Sequence, residues 1–290
     1  RERHQMQFET FMLQRSGVLA ASENELGMGV GVTYENVNMF GSGERFRLNT
    51  TGSLAGDIDT TFFKSAQAEI TTSLTLPYIT APFGGLERRL NLYDARTQLS
   101  LSFLTARREE LRLVIRGRGT ARFRLEMQHN PTLTSFVDLF DISLSNPDVL
   151  GGFEDNILGI ILASIEDPIQ RAQVREDYTQ PQINSTLRYT LRSATVNPLR
   201  RDRGYSSEVA VDVGGNMIPY LLDRYVHSPG EVEGRIPGIS LFRGTGTRNE
   251  LIYRQYLRFT ADISRYRPLG ANTVFAWKLI GGFGQPVGQA

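Results

Sequence analysis

The residues best suited to chemistry are few, and their spacing argues against most of what they suggest. Ser228 stands beside His227 and Glu166 beside Asp167, which are the side-chain types of a hydrolase. Hydrolysis needs a nucleophile, a base and an orienting group in mutual contact, and the spacing of these four offers no such trio, so the chain is expected not to be an enzyme. His4, His129 and His227 are too scattered for a metal cluster, and with no cysteine there is neither a thiolate site nor a disulfide framework. The glycines at 117–119 (GRG) and 214–216 (GGN) are too short for a phosphate-binding fingerprint and do not lead into helices. They read as turn glycines or as glycines facing a polar interior. No cofactor and no metal is expected.

Charge is nearly balanced, 32 basic against 31 acidic residues, yet Lys64 and Lys278 are the only lysines. Arginine's planar fork suits fixed ion-pair networks in confined places; genomic base composition explains the same bias. The balance, and basic runs without interleaved aromatic platforms, argue against nucleic acid as a partner. Arg254, Arg258 and Asp262, with Arg265, are expected to form a structural ion-pair ladder in a polar interior. Arg200, Arg201 and Arg203 have two readings, a solvated turn or a site for lipid headgroups or accessory lipoproteins.

The elements that must carry these groups are strands. Apolar and polar residues alternate with a period of two: Leu26, Met28, Val30, Val32 and Tyr34 oppose Gly27, Gly29, Gly31 and Thr33, and Phe46 and Leu48 oppose Arg45 and Arg47. The pattern recurs at 5–14, 66–76, 98–103, 112–118, 122–139, 183–192, 205–214, 257–263 and 275–279, giving about eleven strands. Most run about 9 to 12 residues, the span of a tilted strand crossing a bilayer and longer than the usual soluble strand. Short connections are expected at 37–43, 118–121, 197–203 and 268–271, and long ones at 17–24, 56–63, 140–180 and 216–249, with the register around Arg107 and between Pro77 and Ala95 left open. Short turns at one end and long loops at the other describe an antiparallel transmembrane β-barrel of the bacterial outer membrane, with lipid on the apolar phase and water on the other. The mean hydropathy of −0.26 fits, because half of each strand never meets lipid. One segment departs from the period: within 153–177, Leu158, Ile161, Leu162, Ile165 and Ile169 take helical spacing, which predicts a short amphipathic helix in an external loop, bent or interrupted at Pro168. The start at Arg1 lacks a signal-peptide profile, so 1–290 reads as a mature or cut piece of one barrel domain.

Four stretches carry a resemblance: 36–44 (NVNMFGSGE), 76–83 (LPYITAPF), 197–208 (NPLRRDRGYSSE), and 253–269 (YRQYLRFTADISRYRPL) running on to 275–288 (FAWKLIGGFGQPVG). In this order they resemble the barrel of the BamA/TamA superfamily of outer-membrane insertases, also called bacterial surface antigens, in its Bacteroidetes-type forms. The resemblance implies a sixteen-stranded barrel, of which the present chain holds about eleven strands, with amino-terminal POTRA domains outside it. It also implies a function: folding and inserting nascent outer-membrane proteins by strand templating at a lateral seam, with outer-membrane lipids and accessory lipoproteins as further partners. By position the seam strand is Gln5, Met6, Gln7, Phe8, Glu9, Thr10, Phe11, Met12, Leu13 and Gln14, with Met6, Phe8 and Met12 towards lipid and Gln7 and Glu9 inward. An ordinary barrel strand is the plainer reading of the same residues. The competing class is transport, by a two-partner secretion pore or a passive porin-like channel.

Overall fold

The computed structural model describes residues 3–16, 24–57, 65–80, 82–108, 112–153, 158–163, 165–195, 203–215, 235–237, 250–252, 255–270 and 273–286. Alternation becomes sheet throughout: β1 (His4–Ser16), β2 (Asn24–Val37), β3 (Arg45–Asp57), β4 (Ser65–Leu76), β5 (Asp94–Arg108), β6 (Leu113–Asn130), β7 (Leu133–Val149), β8 (Gln182–Ala194), β9 (Gly204–Gly214), β10 (Arg235–Pro237), β11 (Glu250–Ile252), β12 (Tyr256–Pro268) and β13 (Val274–Pro286). Eleven of these form one antiparallel path, β1 to β9 in sequence order and then β12 and β13. The short β10 and β11 pair with each other, and β11 touches β8 in parallel through Ile252 and Gln182. Among the described residues no ladder joins β13 back to β1, so these two strands are the edges of the path. No described helix is long and apolar enough to cross a membrane.

The strand count agrees with the sequence reading, but two boundaries do not. The expected turn at 118–121 does not exist: β6 runs straight through it, because Arg118, Thr120 and Arg122 keep the polar phase unbroken. The chain instead turns at Pro131 and Thr132, and β7 occupies the first part of the expected 140–180 loop. Proline suits the turn because it needs no ladder N–H there. Pro147 is tolerated near the end of β7 because pairing with β8 stops at Ser145. The glycines of 117–119 are therefore in a strand, on its apolar side: Gly119 lies opposite Phe103 and Leu144, and a Cβ on Gly117 would crowd the Phe103 ring.

With β6 continuous, the connections sort by end. One end carries 38–44, 77–93, 131–132, 195–203 and 269–273; the other carries 17–23, 58–64, 109–112, 150–181 and 215–255. The two longest connections share an end. In the first of them the expected helix is interrupted at Pro168, giving α2 (Gly159–Ala163) and α3 (Pro168–Thr179), and Pro168 opens the second, where its missing N–H costs nothing. Leu158 is fully buried, and the Phe153 ring meets that of Tyr178 at a tilt, their centroids 6.0 Å apart.

The register fixes two faces. Residues opposite one another share a side, so Phe8–Val32–Thr50–Ile70–Phe103 make one row of the apolar face and Glu9–Gly31–Thr51–Glu69–Leu104 the adjacent row of the other. The apolar face is largely bare: Phe8, Met12, Met28, Val30, Phe103, Phe259 and Leu279 are all exposed. Among the described residues it is covered where the connection 77–93, containing helix α1 (Leu86–Leu90), folds back over the ends of β5 to β7, and Ile183 is buried beside Ile142 and Leu144.

Candidate functional site at the β1 edge and the polar face

β1 holds the ten residues Gln5–Gln14 in unbroken register with β2, from Gln5 opposite Glu35 to Gln14 opposite Leu26. Residues 5–10 and Met12 are exposed, while Phe11 and Leu13 are partly buried. Met6, Phe8 and Met12 lie on the apolar face, Met12 being 86% exposed. Gln7 and Glu9 lie on the polar face, as does Phe11, which the alternation had left without a role.

Phe11 is explained by what stands opposite. Gly27, Gly29 and Gly31 of β2 face Leu13, Phe11 and Glu9. A Cβ on Gly29 would run into the Phe11 ring, and one on Gly31 would meet the Glu9 side chain. The glycine phase of β2 is thus a shallow trough into which the side chains of β1 lie down, an aromatic ring over glycine restoring contact that glycine itself cannot make. At its start β1 is tied to the 38–44 turn: Val37 donates its N–H to the Arg3 carbonyl at 3.0 Å, and the Arg3 guanidinium donates to the Asn38 carbonyl at 2.7 Å. On the apolar face beside this edge lies a depression of about 790 Å³, walled by Met12, Met28 and Leu54 and floored by Gly52, Ala66 and Ala68.

The 38–44 turn is itself a built structure. Asn38, Gly41 and Gly43 have positive φ, which glycine and asparagine tolerate. The Glu44 side chain folds under the turn, 2% exposed, and accepts hydrogen bonds from the backbone N–H groups of Phe40 at 3.3 Å and Ser42 at 3.0 Å. Burial pushes this carboxyl's pKa up, but the N–H groups of Glu44, Ser42 and Phe40, with the Ser42 side chain, outweigh it and hold the pKa below the usual carboxylate value. The turn presents Phe40 and Met39 outward.

The charged residues form rows across the strands. Arg124, Asp138, Arg188, Asp212 and Arg258, on β6, β7, β8, β9 and β12, stand in register at one level of the polar face, alternating in sign. Arg124 Nε lies 2.6 Å from Asp138 Oδ1, Arg188 Nε 2.5 Å from Asp212 Oδ1, and Arg258 Nη2 2.6 Å from Asp212 Oδ2. Both carboxylates are nearly inaccessible, Asp138 at 1% and Asp212 at 2%. Paired bidentate forks of this kind satisfy buried carboxylates that would otherwise be costly to desolvate. Beside the row, Phe136 is sandwiched by Arg124 and Arg192, whose guanidinium carbons sit 5.4 Å and 5.5 Å from its ring centre.

Of the ladder expected along one strand, Arg258, Asp262 and Arg265 are described; Arg258 and Asp262 each pair sideways instead, and Arg265, an odd number of residues away, stands on the opposite face between Tyr205 and Trp277. Arg258 reaches Asp212, and Asp262 takes Lys278 of β13 at 2.7 Å. Arg254 lies outside the described residues, as do His227, Ser228, Arg200 and Arg201. Asp167 is in the turn before α3, its carbonyl accepting the Arg171 N–H. The sequence reading missed Asp138, Asp212 and Phe136. Their signal was present as charge and ring on the polar phase of 133–149 and 205–214, but only cross-strand register shows which arginine each one meets. Among the described residues no cluster of three or more His, Cys, Asp or Glu side chains could hold a metal ion. No family model matches the chain, and no curated protein and no solved structure matches it either.

Proposed function

We propose that the sheet is a wall of a transmembrane β-barrel in the bacterial outer membrane, and that the β1 edge templates strands of client proteins during their insertion. The observation that carries the membrane reading is the inversion of the two faces: carboxylates at 1–2% exposure lie on one side while Met12 at 86% and Phe8 at 71%, with Met6, Met28 and Phe283 at 60% or more, lie bare on the other. A water-soluble sheet would hide the second set. Hydrocarbon solvates it instead, and the ladders between neighbouring strands satisfy the backbone groups that oil cannot. The strand lengths of 11 to 18 residues in the eleven-strand path suit a tilted crossing.

The templating reading draws on the resemblance in sequence and on β1. An edge strand offers a row of backbone donors and acceptors that bind another strand with little demand on its sequence, which suits a machine with many clients. The glycine trough keeps β1 seated on β2 while leaving its far side and the neighbouring depression accessible. Because these 290 residues hold no cysteine, a single cysteine placed at Gln7 or Glu9 has no competing thiol among them. In the full-length protein it is expected to form a disulfide with a cysteine in the terminal strand of a client during assembly, and locking β1 to its closing strand should abolish insertion. Undiminished insertion with β1 locked refutes the gate. Ion conductance with no effect of depletion on barrel assembly would instead support the passive or secretory pore.

A further inference from the structure

The connection 77–93 is a strap. Its inner side is apolar: Ile79 is 4% exposed and, with Phe83, Leu86 and Leu92, packs on Phe123, Leu125, Met127 and Val137 of the apolar face. Thr97 on β5 pins it from below, donating its hydroxyl to the Tyr78 carbonyl at 2.8 Å and accepting the Thr80 N–H at 3.1 Å. The N–H of Tyr93 closes the strap on the Gln128 carbonyl at 2.8 Å. The outer side differs. Glu87 is turned inward, its carboxylate accepting the Ile79 N–H at 2.5 Å, so it does not neutralise its neighbours. Arg88 and Arg89 are exposed and meet no described carboxylate, and Leu90 and Tyr93 are exposed beside them, Tyr93 at 70%. Asp94, the next acid along the chain, is engaged by Arg96 at 2.9 Å.

We propose that the outer side of this strap binds anionic phospholipid headgroups and so sets the depth of the sheet in the membrane, an inference that rests on the membrane reading above. A segment lying on a lipid-facing surface at the very end of the strands sits where hydrocarbon gives way to headgroups. There an arginine buries its stem and sends its charge to phosphate, and a tyrosine ring takes the boundary itself. Two adjacent guanidinium groups without acidic partners complement phosphate in charge and in fork geometry. The buried inner side makes the site rigid, so binding orders no further chain.

The test uses the full chain reconstituted in vesicles of phosphatidylcholine, with and without phosphatidylglycerol, reading retention of labelled lipid on extraction. Wild type is expected to retain phosphatidylglycerol preferentially, and Arg88→Gln with Arg89→Gln to reduce that preference by roughly 25-fold, about five-fold for each arginine. The double lysine variant should keep most of it, and Arg108→Gln, at the other end of β5, should leave it unchanged. Equal retention of both lipids by inserted wild type, or an unaltered preference in the double glutamine variant, overturns the inference while leaving the membrane reading standing. Displacement by inorganic phosphate would reassign the site to a free anion and overturn it too. A chain that enters neither vesicle, its strands open to protease, removes the membrane reading itself.

Discussion

The two halves of the sheet are built differently. From β6 to β12 the polar face is stitched by ion pairs, Arg122–Asp141, Arg124–Asp138, Arg188–Asp212, Arg258–Asp212 and Arg192–Glu208, and the apolar face is held down at one end by the strap. From β1 to β3 one ion pair, Arg45–Glu35, is found among the described residues, at the turn end, and the contact between β1 and β2 is side chain over glycine. The strands differ as well, 17 and 18 residues in β7 and β6 against 13 and 14 in β1 and β2. Charge networks and long ladders make one wall stiff; glycine and a free edge make the other compliant. The gate proposed above would require such an inequality.

The largest effect is expected from the stiff wall. Asp212→Ala leaves Arg188 and Arg258 facing each other without their shared carboxylate, and should cost about 3 kcal/mol in denaturant unfolding, the low end for buried pairs because both arginines keep some solvent. If β1 amides exchange as much faster as those of β8, the two halves are one cooperative unit and the contrast fails. Next, Leu125→Ala under the strap should cost about 2 to 3 kcal/mol, with proteolysis quickening at 77–93 and unchanged in the 38–44 turn. Gly29→Ala should destabilise by about 1 to 2 kcal/mol by overpacking, felt as faster amide exchange in β1 and β2 and beside Gly52 of β3, whose carbonyl the new Cβ also meets. Adding Phe11→Ala should recover part of that loss; no recovery would mean that the ring over glycine is not what seats the strand. The smallest effect is a pH one at the 38–44 turn. The Glu44 carboxyl has a lowered folded pKa, so its stabilisation is complete above its ordinary value and disappears as pH falls through the folded one. Protease sensitivity of the turn should rise in that acid window, and Glu44→Gln should be as sensitive at neutral pH.

Much of the fold was legible because a period of two is written locally: each strand could be found from its own residues, as with Leu26 to Tyr34 or Ala66 to Leu76. The failure at 118–121 came from Gly117 and Gly119, which look like a turn but lie on an apolar face that tolerates them beside Phe103. The 131–132 connection was missed because it is only two residues long. The charge rows were half legible. Alternation puts Arg124 and Asp212 on a polar side, but a partner belongs to register, which depends on bulges such as the one between Asp138 and Asp141 that no local pattern announces. The strap was invisible for a related reason: nothing within 77–93 says that Ile79 and Leu86 would fold back upon Leu125.

The hairpin of β6 and β7 brings 35 residues into line through a connection of two. Short contact range makes chain closure fast, so this hairpin should be the first part of the sheet to zip, growing outwards on both sides. β1 would then be annealed late, against a partner rich in glycine. Pulse-labelled hydrogen exchange during refolding, with protection arising at Leu125 before Phe8, is the signature to seek.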